Sequence, residues 1–330
     1  MMGFSGLLAA MAVGASIYFA ADPVHFRMVV FQPIREANLF WKELTPVSYW
    51  REIEKTEVLS TNPVSIPKEQ PGDLKIVADL RLPEGEGHAP AILLLHGSAP
   101  WGRKEGLIQL LGARLQEEGW IVLAPDARGF GESDDPLDPS DSNAWTVQND
   151  VKRLICFLSS NPRTDRERIF VFGHSFGAGQ ALAGALELPE VKALILVGPP
   201  RFLNGSGEKI SAWKLSRMAA DRELETPIQE EPAKRMSIES DISRYADGSL
   251  MKGDHKPVLL VDGEFESEAE LKFLEDVAKR INSPLQYKTL AGAGHYCGVF
   301  NFFGSATIYY RKDLWDSFFK LIMGYTDSFK

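Results

Sequence analysis

Between Ile169 and Gly177 the chain runs from an apolar strand pattern, Ile169-Phe-Val-Phe172, straight into Gly173-His-Ser-Phe-Gly177, with the small residues Ala178, Gly179, Ala181 and Ala183 behind it. A strand that becomes a helix within so few residues must reverse sharply, and a side chain beside the apex would collide with the turn. The flanking positions therefore have to be glycine. Such a turn lifts Ser175 to the end of a strand and aims the free N–H groups of a helix N-terminus at whatever charge develops there. The strand itself is apolar on both faces, which suits a parallel sheet covered by helices on both sides. These few residues already ask for a layered α/β architecture.

Gly-x-Ser-x-Gly between an apolar strand and a small-residue helix is the nucleophile-elbow pattern. On it, the chain resembles an α/β-hydrolase over approximately residues 55–325. The resemblance implies an α/β fold with a mostly parallel central sheet flanked by helices, and a catalytic triad whose members follow in the chain order serine, acid, histidine. It also implies a core over 56–200 and 257–330, interrupted by an insertion over 201–256.

The chain in order fits that plan. Strand patterns fall at Glu57–Ile66, Asp73–Leu82 and Ala89–Leu95, the last ending in His96-Gly97-Ser98-Ala99-Pro100. A helix is expected at Leu107–Glu118 and a buried strand at Trp120–Ala124, which runs into Asp126-Ala-Arg-Gly-Phe-Gly-Glu-Ser133. Then come a helix at Trp145–Ser159, the strand Arg168–Phe172 leading into the elbow, and strands at Val191–Val197 and Pro257–Val261. A helix at Ser267–Arg280, a last strand at Leu285–Thr289 and an apolar-faced helix at Asp313–Met323 complete the alternation. Nearly 60 residues separate Gly198 from Pro257, far more than one crossover needs, so 201–256 reads as a lid over the carboxyl ends of the strands.

Residues 1–21 carry no charged side chain, and about 20 apolar residues in a helix match the hydrocarbon thickness of a bilayer. An anchor helix over 1–22 is expected, followed by an aromatic connecting segment over 23–55 that holds Phe40, Trp41, Tyr49 and Trp50. Cations appear only on its C-terminal side, at Arg27, Arg35, Lys42 and Arg51, which puts the catalytic body on the cytoplasmic face and makes the lipid bilayer a partner. Export with a signal peptide, or a helix packed on the protein itself, are the alternatives.

The net charge of −9 argues against nucleic acid as a partner, because phosphate binding needs basic patches and none stands out. The two cysteines, Cys156 and Cys297, form no C-x-x-C pair, so neither a zinc site nor a disulfide framework is indicated. The expected chemistry needs no metal and no organic cofactor.

A serine hydroxyl becomes a nucleophile when an imidazole takes its proton, and that imidazole needs a carboxylate to fix its tautomer. Among the six histidines, His25, His88, His96 and His174 precede Ser175, and His255 precedes the strand that should deliver the acid. His295, in Ala291-Gly-Ala-Gly-His295, remains as the base. In Val258-Leu-Leu-Val-Asp-Gly-Glu-Phe-Glu266 the offset used by the family falls on Glu266, with Asp262 the alternative acid and Glu264 behind it. For the oxyanion hole, the donors are the backbone N–H of Phe176 and, by resemblance, that of Ser98, with Ala99 as its alternative. Trp101 and Phe130, with Trp145 and Phe176, are candidates to wall a substrate pocket or to be ordinary core; His96, Asp126 and Arg128 read as loop braces.

The function expected is a serine hydrolase that cleaves a small-molecule carboxylic ester or thioester through an acyl-enzyme. A serine at the elbow argues against dehalogenase and epoxide-hydrolase chemistry, in which the resemblance implies a carboxylate nucleophile. An aminopeptidase-like serine peptidase, with Glu230-Glu231 holding a peptide amino terminus, is the alternative; a membrane-tethered binding protein without activity is the remaining one.

Overall fold

The computed structural model describes residues 53–58, 61–97, 99, 101–135, 147–199, 256–266, 268–280, 285–301 and 304–330. The hydrophobic helix expected over 1–22, the connecting segment up to residue 52, the lid up to residue 255, Ser98 and Trp145 lie outside the described residues. No helix among the described residues is long and apolar enough to cross a membrane.

The strands are β1 (Ile53–Glu57), β2 (Pro63–Ile66), β3 (Ile76–Arg81), β4 (Ala89–Leu95), β5 (Ile121–Pro125), β6 (Thr164–His174), β7 (Ala193–Val197), β8 (Val258–Gly263), β9 (Leu285–Leu290), β10 (Val299–Asn301) and β11 (Thr307–Arg311). The helices are α1 (Gly106–Glu117), α2 (Gln148–Ser160), α3 (Phe176–Ala185), α4 (Glu268–Arg280) and α5 (Lys312–Asp327). An eight-stranded sheet has the order β2-β3-β5-β4-β6-β7-β8-β9. From β5 through β9 neighbouring strands run parallel, while β3 is antiparallel to both β2 and β5.

Alternation along the central strands sorts the core into two layers. Leu93, Leu95, Val171, Leu194, Leu196 and Leu260 face one side with Val151 and Leu154 of α2, Ala178 and Ala181 of α3, and Leu274 and Val277 of α4. Their neighbours Ile92, Leu94, Phe170, Phe172, Ile195 and Val261 face the other with Leu107 and Leu111 of α1 and Trp315 and Phe318 of α5. Both faces being apolar is why these strands read as continuous apolar runs. It also leaves one place for polar machinery, the carboxyl ends of the parallel strands.

Two expectations need correcting. The single strand expected over Glu57–Ile66 is two strands in different sheets, β1 and β2, because Pro63 begins a new element rather than continuing the old one. And Leu285–Thr289 is not the last strand: β10 and β11 follow it and form a three-stranded antiparallel sheet, ordered β1-β11-β10. Their runs, Val299-Phe-Asn301 and Thr307-Ile-Tyr-Tyr-Arg311, are short or carry weak alternation. β1, from the far end of the chain, supplies β11 with hydrogen-bond partners from Ile53 to Glu57, and β11 in turn pairs with β10.

Candidate active site

β6 ends at His174 and α3 starts at Phe176, so the whole reversal falls on Ser175, which takes φ 50° and ψ −115°. That conformation is strained for a residue with a side chain. The flanking glycines owe their identity to close approach. A Cβ on Gly173 would lie 2.3 Å from the Gly177 carbonyl oxygen, and one on Gly177 would lie 2.2 Å from that of Leu95. The Ser175 N–H donates to the Val197 carbonyl at 2.8 Å, which fastens the elbow to the end of β7. Phe176 is buried and opens α3, where an N–H has no acceptor within the helix and is available to a ligand.

The next residue after β7, Gly198, has φ +53°, and a Cβ there would stand 3.0 Å from the His295 ring and 3.7 Å from Glu266 Oε1. His295 and Glu266 therefore meet over the same strand end that holds Ser175. His295 Nδ1 lies 2.5 Å from Glu266 Oε1, with both side chains largely shielded from solvent. The loops carrying them are zipped together. Glu264 N–H donates to Leu290, Phe265 N–H to Ala293, and Gly292 N–H to the Glu264 carboxylate at 2.7 Å. Gly263 lets them close, since a Cβ on it would lie 2.4 Å from the Gly294 carbonyl oxygen.

Of the three carboxylates considered from the sequence, Glu266 is the one the structure brings to the histidine. Asp262 is buried within β8 on the side of Leu260, toward Tyr287, whose phenol is pushed up by burial first and by the charges of Asp262 and Glu275 as well. Glu264 serves as the loop clasp just described.

The loop after β4 is braced from two sides. The Ala127 N–H donates to His96 Nε2 at 3.0 Å, and His96 Nδ1 faces the Gly97 carbonyl at 2.5 Å, so His96 ties this loop to the one after β5. Asp126, fully buried, accepts from the Arg103 N–H at 2.7 Å and the Glu132 N–H at 2.8 Å, and pairs with the Arg103 guanidinium. Arg103 also reaches Asp79 at 2.9 Å and Glu132 at 2.9 Å. Burial works against the Arg103 charge, but these carboxylates outweigh it and raise its pKa. Arg128 pairs with Asp150 at 2.7 Å.

Phe130, a candidate pocket wall, is 1% exposed and packs between His96 and Phe176, so it is core under the loops. Tight positive-φ turns at Gly129 and Gly131 fold it inward. Trp101 is half-buried and lines a small cleft with Ala99, Glu105, Tyr296, Val299 and Phe300.

An α/β-hydrolase fold description matches residues 90–226 of the chain, spanning the loop after β4, the elbow and β7. Over that stretch the chain matches the α/β-hydrolase family, and the described residues have the α/β-hydrolase fold. The chain is 27% identical over 171 residues to esterase EstD of Thermotoga maritima, half of this chain and 38% of that protein. It is 31% identical over 176 residues to the mouse sn-1-specific diacylglycerol lipase ABHD11, 46% of this chain and 54% of the lipase. The chain spans 29% of the length of a 36% identical Mycobacterium bovis protein and about half that of the lipase. Est1E of Butyrivibrio proteoclasticus, solved with ferulic acid, has the same fold at TM-score 0.55 and 19% identity, covering 80% of this chain and 99% of that one.

Two polar residues of this candidate site escaped the sequence reading. His174, set aside as a base by chain order, is fully buried with Nδ1 against the Glu105 carboxylate and Nε2 at 2.9 Å from the His295 carbonyl oxygen. Glu105, just ahead of α1, accepts from the Gly97 N–H at 2.5 Å. A lone Lys-Glu before a helix gives no warning of this; only the fold brings residues 105 and 174 together. Neither Cys156 nor Cys297 is in a disulfide.

Proposed function

We propose that the protein is a serine hydrolase acting on a small-molecule carboxylic ester or thioester, with Ser175 as nucleophile, His295 as base and Glu266 as the acid that orients it. The observation that carries this reading is the 2.5 Å contact between His295 Nδ1 and Glu266 Oε1 above Gly198, beside the strained turn at Ser175. With Nδ1 engaged by the carboxylate, Nε2 is the nitrogen left to accept a proton, which is the tautomer a serine nucleophile needs. Ser175 Oγ then attacks the acyl carbon as its proton passes to His295. The oxyanion gathers at the start of α3, where the Phe176 N–H donates, with the Ser98 N–H as the proposed second donor. Collapse of the tetrahedral species expels the alcohol or thiol, which takes the proton back from His295. Water, activated by the same imidazole, releases the acid and restores Ser175.

A serine at the elbow favours this route over those with a carboxylate nucleophile, and the esterase and lipase among the relatives support the ester class. The test is turnover of short-chain p-nitrophenyl esters and thioesters against aminoacyl p-nitroanilides. Ester or thioester cleavage that falls by about 10⁵–10⁶-fold in Ser175→Ala is the expected result. Cleavage of the anilides alone would favour the peptidase reading. We also infer, from the uncharged run over 1–21 and the cations after it, that the chain is anchored in a bilayer with its catalytic body on the cytoplasmic face.

A further inference from the structure

Glu105 and His174 take no part in the proposed proton transfers, yet they lie at the centre of the site, 2% and 0% exposed. Each contact they make reaches a different catalytic segment. Glu105 Oε2 holds the Gly97 N–H at 2.5 Å, in the loop that leads to residue 98. Glu105 Oε1 meets His174 Nδ1, and His174 is the residue before Ser175. His174 Nε2 faces the backbone oxygen of His295 at 2.9 Å, and the two imidazole rings stand 4.9 Å apart. Tyr296 packs on the His174 ring at 5.1 Å, and the charge of His96 also acts on Glu105. The pair sits directly on backbone, because a Cβ on Gly97 would fall 3.0 Å from His174 Nδ1 and 3.1 Å from Glu105 Oε2.

The hydrogen-bonding roles are fixed by what the partners can do. A carbonyl oxygen only accepts, so Nε2 carries the proton it donates to His295, and Nδ1 faces the Glu105 carboxyl. Burial pushes the Glu105 carboxyl up, but His174, His96 and the Gly97 N–H outweigh it and hold it below the usual carboxylate range. The pair is thus a carboxyl group and an imidazole facing each other in the interior. An apolar pair of equal volume would fill the space without fixing a direction. A polar pair held to backbone at both ends, at Gly97 and at His295, fixes the angles between the segments it joins.

We propose that Glu105 and His174 are positioning residues: their buried contact, tied to backbone at Gly97 and His295, locks the loop after β4, the elbow and the His295 loop in one register, which keeps the base and the oxyanion donors aligned on Ser175. The inference rests on the hydrolase reading above and deepens it.

The test uses the full chain with a short p-nitrophenyl ester and a fluorophosphonate probe, comparing wild type with Glu105→Gln, His174→Asn and His174→Gln. Glu105→Gln keeps the shape and removes the charge. His174→Asn keeps a donor near Nδ1 and loses the reach to His295, whereas His174→Gln does the reverse. Each variant should lower kcat and the labelling rate by about 10²-fold per folded molecule, the scale expected for misalignment of a reacting group, while KM stays within about two-fold. Variants that lose thermal stability but keep wild-type kcat per folded molecule would reduce the pair to packing and overturn the proposal. Should the variants fail to fold, hydrogen exchange of the wild type decides: the Gly97 N–H, held by Glu105 Oε2, is expected to exchange as slowly as the neighbouring strand amides, and fast exchange there overturns the pair. Wild-type chain that neither labels nor turns over would instead sink the hydrolase reading, an outcome separate from wild type that labels alongside unimpaired variants.

Discussion

Ser175 concentrates the conflict between stability and chemistry in a single residue. Its φ of 50° with ψ −115° is a conformation that glycine tolerates and serine resists, and strain of this kind costs on the order of 1–3 kcal/mol. The strain is what projects Oγ beyond the strand end. It follows that Ser175→Gly should be inactive yet more stable than Ser175→Ala by about 1 kcal/mol, since alanine keeps the strain and glycine releases it. For a chain of this size the thermal midpoint of the glycine variant should stand roughly 1–2 °C above that of the alanine variant, measured by calorimetry. Equal midpoints would mean the turn is not strained. The flanking glycines obey a different rule: Gly173 and Gly177 are needed for room, with backbone oxygens 2.3 Å and 2.2 Å from where a Cβ would go.

At the level of elements, the small sheet β1-β11-β10 gives the N-terminal part of the folded chain a hold on the site. β10 begins four positions after His295 and pairs with β11, which pairs with β1, and the buried Arg311 at the end of β11 donates to the Gly292 carbonyl at 3.3 Å within the His295 loop. Removing residues 1–57 takes β1 away and uncovers the edge of β11, whereas removing 1–21 leaves the sheet intact. The longer truncation should aggregate or melt at least several degrees lower than the shorter one and lose turnover with it; equal melting of the two would show that β1 contributes nothing to the fold. This sheet also marks the limit of what the sequence could tell. The parallel strands were legible because each is a continuous apolar run, and the elbow because its glycines and serine fall at fixed spacing. Glu266 and His295 were legible through their offsets from those strands. β10 and β11 were not, because β11 pairs with a strand some 250 residues away and β10 is a short run held by β11. The same holds for Glu105 and His174, whose pairing across 69 positions of chain leaves no local signal.

Across the whole molecule, apolar layers on both faces of the sheet leave the strand ends as the place where polar groups gather, and the buried ion pairs there join segments distant in sequence. Arg103 links β3, the loop after β5 and the start of α1 through Asp79, Asp126 and Glu132. The proposed anchor belongs to this scale too. Full-length chain expressed in cells should sediment with membranes and resist extraction by salt and carbonate, and removal of residues 1–21 should release it; sedimentation that is unchanged by the deletion would count against an anchor there. The claim on which all of this depends is that Ser175 is an activated nucleophile. The most direct measurement is the site of a fluorophosphonate adduct, mapped by peptide mass spectrometry on the intact chain. The account predicts one adduct, on Ser175, absent in Ser175→Ala and formed about 10²–10⁴-fold more slowly in Glu266→Gln. No adduct on the folded wild type, or one on a different residue, would contradict it.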